Sequence, residues 1–150
     1  MRQILFRGKS TDNGTQWVEG HYFETPLTDA ATGSIPEDGW FFLTGRHRHC
    51  ISAADGCVYE VDPDTVGEYT GLTDKNGRKI FEGDILKYGE ISKRYGNIFP
   101  VVFEQRGESA YFGIKMDVIE TWQFCLSVPT KLMEVIGNIH DNPELNKLTM

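Results

Sequence analysis

Residues 66–88, VGEYTGLTDKNGRKIFEGDILKY, put two turn signals and three short runs of strand-forming residues into 23 positions. The first run is Tyr69-Thr70-Gly71-Leu72-Thr73, the second Arg78-Lys79-Ile80-Phe81 and the third Ile85-Leu86-Lys87-Tyr88. Between the first two stands Asp74-Lys75-Asn76-Gly77. Asn-Gly is a strong hairpin signal because both residues tolerate the positive φ of a type I′ turn. Between the second and third stands Glu82-Gly83-Asp84, where the glycine reverses the chain and the aspartate bonds a nearby backbone N–H. A stretch punctuated this often has no room for a helix. It predicts a compact antiparallel meander of the SH3-like or small-barrel kind.

The rest of the chain reads in the same way. Residues 3–8 alternate, the Asp-Asn-Gly cluster after them turns, and residues 17–24 (WVEGHYFE) return as a second strand. Gly20 within that strand marks a bulge or a close backbone approach. Residues 25–39 are polar, hold Pro26 and Pro36 and lack a period, so they predict a long surface loop. Residues 40–44 (WFFLT), 47–54 and 57–61 read as strands, and Asp62-Pro63-Asp64-Thr65 as a turn. Further strands are expected over 98–105, 110–116, 124–128 and 131–139, and Asn142-Pro143 starts a helical turn. The expected fold is mainly β, with nine to twelve short antiparallel strands and little helix. The terminal strands are expected to pair and close the sheet. The 150 residues suit a single domain.

The words TGLTDKNGRKIFEGDI, preceded by VGEYTG, resemble the signature of the YopX family, found mainly in bacteriophages and prophages. The opening Arg2-Gln3-Ile4-Leu5-Phe6-Arg7-Gly8-Lys9, the approach at residues 58–65 (VYEVDPDT) and the ending at residues 134–145 (EVIGNIHDNPEL) are similar to that family as well. The resemblance carries with it no established biochemical activity and no assigned catalytic residues.

Composition narrows the function classes. An apolar fraction of 39% with 12% aromatics fills a core, so the chain is expected to fold. It has neither an 18-residue apolar run nor a signal-peptide core, and its three cysteines contain no C-x-x-C pair. These features predict a cytoplasmic protein with reduced thiols and no membrane partner. The net charge of −7 argues against a general nucleic-acid binder. The charge is segregated, however. Residues 59–74 hold Glu60, Asp62, Asp64, Glu68 and Asp74 without a base, whereas residues 75–94 hold Lys75, Arg78, Lys79, Lys87, Lys93 and Arg94. That pattern suits docking of one copy on another, and a homo-oligomer is expected.

Four candidate chemistries remain. His47, His49, Cys50 and Cys57 are four N/S donors of the kind that hold zinc, but their spacing matches no common zinc pattern. Arg46 and Arg48 beside them oppose a dication and suit an oxyanion instead. The acid pairs Asp62/Asp64 and Glu82/Asp84 have the residue type of a hydrolase or magnesium site, yet each flanks Pro or Gly in a turn, where capping accounts for them. Lys75, Arg78, Lys79 and Lys87 form a basic stretch able to bind anions or nucleic acid. The aromatics, among them Trp17, Tyr22, Tyr69, Tyr88 and Phe112, either stack bases or fill the core. There is no P-loop, no G-x-S-x-G, no H-E-x-x-H and no dinucleotide fingerprint, so neither enzymatic activity nor a cofactor is expected. The expectation is a binding or assembly protein acting as a homo-oligomer; the alternative is a nucleic-acid-associated accessory factor.

Overall fold

The computed structural model describes residues 1–12, 16–26, 47–89, 98–115, 121–123 and 129–146. The expected strands at 40–44 and 124–128, most of the 25–39 loop, Arg46, Lys93, Arg94 and Cys125 lie outside them. The chain forms two compact units, Leu5–Val66 and Met1–Ile4 with Gly67–Met150. Both are built from antiparallel strands, eleven among the described residues, so the mainly β reading holds.

In the first unit β1 (Phe6–Lys9), β2 (Trp17–Pro26), β3 (His47–Ala53) and β4 (Val58–Glu60) hydrogen-bond in sequence order. Alternation along the strands sends Val18, Ile51 and Val61 to a common core with Phe6, Tyr22, Tyr59 and Val66 packed on it. The sheet curls until its ends meet. Ser10 bridges Val61, the Thr11 N–H donates to the Glu60 carbonyl and the Asp62 N–H to the Lys9 carbonyl. Gly20 lies so near β3 that a Cβ there would sit 2.0 Å from the Ser52 carbonyl oxygen, so of the two readings, bulge or close approach, the structure has the close approach. Strand β2 runs on through Thr25 and Pro26, two residues expected in the following loop.

In the second unit β5 (Gly67–Thr73) and β6 (Lys79–Phe81) form a hairpin. A five-stranded sheet runs in the order β10 (Thr121–Gln123), β9 (Ser109–Lys115), β8 (Ile98–Arg106), β7 (Asp84–Tyr88), β11 (Met133–Asn138). Ile80 of the hairpin is fully buried among Leu86, Phe99, Val101, Ile114, Met133 and Val135 of that sheet. Its neighbour Phe81 turns the other way and packs on Tyr69, ring centroids 5.6 Å apart. Strand β6 is thus buried on both faces, although it is three residues long. A single helical turn, α1 (Pro143–Asn146), follows β11 at the expected place.

The terminal strands do not pair with each other. β1 pairs with β2, and β11 with β7. The outer edge of β11 is taken by the turn after β5, where the Lys75 N–H donates to the Met133 carbonyl and the Val135 N–H donates to the Asp74 carboxylate.

Candidate functional site

The signature turn is organised by Asp74, which is 1% exposed. Its Oδ1 accepts from the backbone N–H of Asn76 at 2.8 Å and of Arg78 at 2.9 Å. Its Oδ2 accepts from the N–H of Val135 at 3.0 Å, 61 positions away. Burial pushes this carboxyl up, but the three N–H donors, with Arg78 nearby, outweigh burial and hold it below the usual carboxylate range. The turn is not the type I′ turn expected around Asn76-Gly77. The Gly77 N–H bonds the Asp74 carbonyl at 3.1 Å, so Lys75 and Asn76 are the central residues and Gly77 follows at φ 78°. Because Asp74 claims the N–H of Arg78, no carbonyl closes a two-residue loop there.

The second turn is equally committed to structure. Gly83, at φ 88°, donates its N–H to Val101 of β8 and accepts at its carbonyl from the N–H of Ile139 just past β11. Asp84 Oδ2 accepts from the Phe81 N–H at 2.8 Å. Asp62 Oδ1 accepts from the Asp64 N–H at 3.0 Å and caps the 3-10 turn Pro63–Thr65. Both acid pairs contain a turn cap, as their Pro and Gly neighbours implied. Glu82 has its carboxyl pushed up by burial and then by the charge of Glu68.

Part of the basic stretch comes together around a residue that the sequence did not single out. Lys75 Nζ is 3.0 Å from the Glu134 carboxylate, and Lys87 is the cross-strand partner of Glu134. Lys131, in the 3-10 turn Thr130–Leu132 before β11, reaches the Thr73 hydroxyl. Thr73 is opposite Lys79 in the β5–β6 pair, and Arg78 stands exposed beside them. Lys75 and Lys87 therefore meet at Glu134, while Arg78, Lys79 and Lys131 gather about Thr73 at the end of the β5–β6 hairpin. Lys131 and Glu134 were missed because they lie far beyond the stretch in sequence and join it through the β7–β11 register and the bonds of the Asp74–Lys75 turn to β11.

The His/Cys group is divided by strand alternation. His47, His49 and Cys50 all lie on β3, with His49 on the core-side face and Cys50 on the other. Cys57 is an exposed thiol beyond the end of β3, and Cys50 a buried one. Burial, then the charge of Glu60, pushes the Cys50 thiol up, which keeps it protonated. His49 is engaged elsewhere: its Nδ1 is 2.6 Å from the Tyr22 hydroxyl, which donates to Glu24 Oε1 at 3.0 Å. With the phenol proton given to Glu24, Nδ1 must carry the proton of the His49–Tyr22 bond. Burial and Glu24 push the Tyr22 phenol up to about 12. The Asp55 carboxylate accepts from the Cys57 N–H at 2.8 Å and the Tyr59 hydroxyl at 2.7 Å. Among the described residues no group of three or more His, Cys, Asp and Glu side chains is placed to hold a metal ion. Most of the aromatics named above serve the cores: Tyr22 packs on one, Tyr88 and Phe112 on the other, and Tyr69 is buried.

No curated protein matches this chain. A solved structure that it resembles is the crystal structure of protein EF1440 from Enterococcus faecalis, 26% identical, covering 97% of this chain and 99% of that one, with a TM-score of 0.46. The family model described as YopX protein matches residues 40–147, which include the signature turn, both sets of turn caps and the β11 residues they hold. By that match over most of its length, the chain belongs to the YopX family.

Proposed function

We propose that this chain is a non-enzymatic binding or assembly protein of phage or prophage origin that works as a homo-oligomer in the bacterial cytoplasm. The observation that carries this reading is the use made of Asp74. A buried carboxylate in the family signature is where a reactive group would be sought, and both its oxygens are given to backbone N–H groups of its own turn and of β11. The neighbouring acids Asp84 and Asp62 cap turns in the same manner. The signature thus builds a frame and leaves recognition to exposed side chains. The free thiols of Cys50 and Cys57 suit a reducing compartment. The test is the solution mass by light scattering, with metal content measured on the same sample. A defined oligomer without stoichiometric metal is expected; a monomer carrying stoichiometric zinc refutes the reading.

A second reading is favoured by one observation, the addition of Lys131 to the basic stretch. In it the chain is a nucleic-acid-associated accessory factor whose cations contact phosphates. It requires a salt-dependent mobility shift with single-stranded DNA or RNA that disappears when Lys75, Arg78, Lys79 and Lys87 are reversed in charge. No shift at low salt removes it.

A further inference from the structure

The oligomer proposed above needs a surface, and the charges define one. Near the start of β11, Lys75, Arg78, Lys87 and Lys131 are exposed; Lys75 pairs with Glu134 at 3.0 Å, Lys87 stands opposite Glu134 in the strand register, and the buried carboxylate of Asp74 lies in the same turn. On the first unit, Asp12, Glu60, Asp62 and Asp64 are gathered at one corner by backbone bonds. The Thr11 N–H donates to the Glu60 carbonyl at 2.9 Å, the Asp62 N–H to the Lys9 carbonyl at 2.9 Å and the Asp64 N–H to Asp62 Oδ1 at 3.0 Å. Asp12, Asp62 and Asp64 are exposed. Among the described residues Arg48 lies 3.9 Å from Glu60, and Lys9 is joined to Asp62 through its backbone. The first patch carries an excess of cations over the Asp74 and Glu134 carboxylates and the second an excess of carboxylates over Arg48 and Lys9, so the two are of opposite sign.

We propose that the basic face at the start of β11 receives the acidic corner around Asp12, Asp62 and Asp64 of a second copy of this chain. The inference rests on the homo-oligomer reading and names its contact. Two copies, each with a net charge of −7, repel at long range. Approach is favourable where a basic face meets an acidic corner, so the charges select orientation as well as partner. The corner is rigid: Asp62 caps the 3-10 turn and Thr65 accepts from the Lys9 N–H at 2.9 Å. The basic face is held by the Asp74 turn and by the Lys75–Glu134 pair. Little side-chain order must therefore be imposed on contact, apart from that of the lysines.

The experiment uses the full chain and two variants, Lys75→Glu/Lys87→Glu and Asp12→Lys/Asp64→Lys. The second pair leaves the Asp62 cap intact, and circular dichroism with thermal melts checks that both variants fold. Light scattering at about 20 mM and about 500 mM salt reads the mass against the 17.0 kDa of one chain. Exposed charge pairs lose most of their attraction at high salt, where the screening length falls to a few ångströms. The wild type is expected to be oligomeric at low salt and to lose mass at high salt. Each variant alone is expected to be smaller, and an equimolar mixture of the two to restore a complex. If the wild type is oligomeric and both variants assemble as it does, the contact is wrong while the homo-oligomer reading stands. A wild type that is monomeric at both salts overturns that reading and this contact together. Loss of single-stranded DNA binding in Lys75→Glu/Lys87→Glu with unchanged mass gives the basic face to nucleic acid and also overturns the contact.

Discussion

Replacing Asp74 with Asn keeps the shape of the signature turn and removes its charge. In the native turn Oδ1 serves the N–H groups of Asn76 and Arg78 while Oδ2 serves that of Val135. An amide has one acceptor oxygen. If that oxygen stays with the turn, the NH2 group faces the Val135 N–H, donor against donor. Losing a bond and leaving a buried N–H costs about 1–3 kcal/mol, and two charge-assisted bonds become neutral ones at a further ~0.5–1 kcal/mol each. Relief of the buried charge offsets part of this, so about 3 kcal/mol is expected. For a chain of this size that lowers the melting temperature by roughly 6–12 °C. Locally, the Val135 amide should exchange with solvent about 100-fold faster, because about 1.4 kcal/mol is a factor of ten in the opening equilibrium. The pH dependence has a fixed sign. Asp74 is held below its ordinary value of 3.8 in the folded chain, so its contribution is fully present above that value and is lost as pH falls through the folded pKa. The gap between wild type and Asp74→Asn should stay constant from pH 7 to about pH 4 and close below it. A variant with wild-type melting and unchanged Val135 exchange at pH 7 refutes the argument.

Gly20→Ala brings a Cβ to 2.0 Å from the Ser52 carbonyl oxygen, a backbone atom that moves only with β3. It should destabilise the first unit by at least about 1–3 kcal/mol in urea titration; an unchanged midpoint contradicts the close approach. Ile80→Ala empties a fully buried site between the β5–β6 hairpin and the five-stranded sheet. It should cost about 2–5 kcal/mol by the same measure, whereas a loss under about 1 kcal/mol means that the hairpin is not seated there. The phenols of Tyr22 and Tyr59 are both pushed up to about 12, the first by burial and Glu24, the second chiefly by its hydrogen bond to Asp55. A raised phenol favours the folded chain fully below the ordinary value of 10.0 and loses that contribution as pH rises toward 12. Ultraviolet titration of Tyr22→Phe and Tyr59→Phe should each remove one tyrosine ionising near pH 12, and removal of one ionising near pH 10 contradicts the hydrogen bonds.

Strand positions were readable because turn residues bound them. Asn76-Gly77, Gly83-Asp84 and Pro63-Asp64 all mark reversals that the structure contains. The kind of turn at 74–78 was less readable. Asn-Gly pointed to type I′, whereas an Asp at the first position and a Gly at the fourth is equally the pattern of a type I turn. The choice is made by Asp74 bonding Arg78 and Val135, and the second of those lies far along the chain. Gly20 announced a bulge or a close approach because a glycine inside an alternating strand has few other uses. By contrast, nothing near Lys131 or Glu134 in sequence links them to Lys75 and Lys87; strand order and the docking of the Asp74 turn on β11 bring them together. The division of His49 from Cys50 followed from alternation alone, but the Tyr22–Glu24 partnership of His49 required the β2–β3 register.

The bond between Asp74 and Val135 also has a consequence for biosynthesis. The two residues are 61 positions apart, so at a translation rate of about 5–20 residues per second roughly 3–12 s separate their synthesis. During that interval all of Leu5–Val66 has been made and can fold, while the growing second unit has β7 without its β11 partner. A polypeptide stopped before Met133 keeps that β7 edge open, and an open edge templates pairing with any other nascent strand. Termination just before Met133 should therefore be more harmful than the small size of β11 suggests, because that strand is the seal on the β7 edge of the sheet.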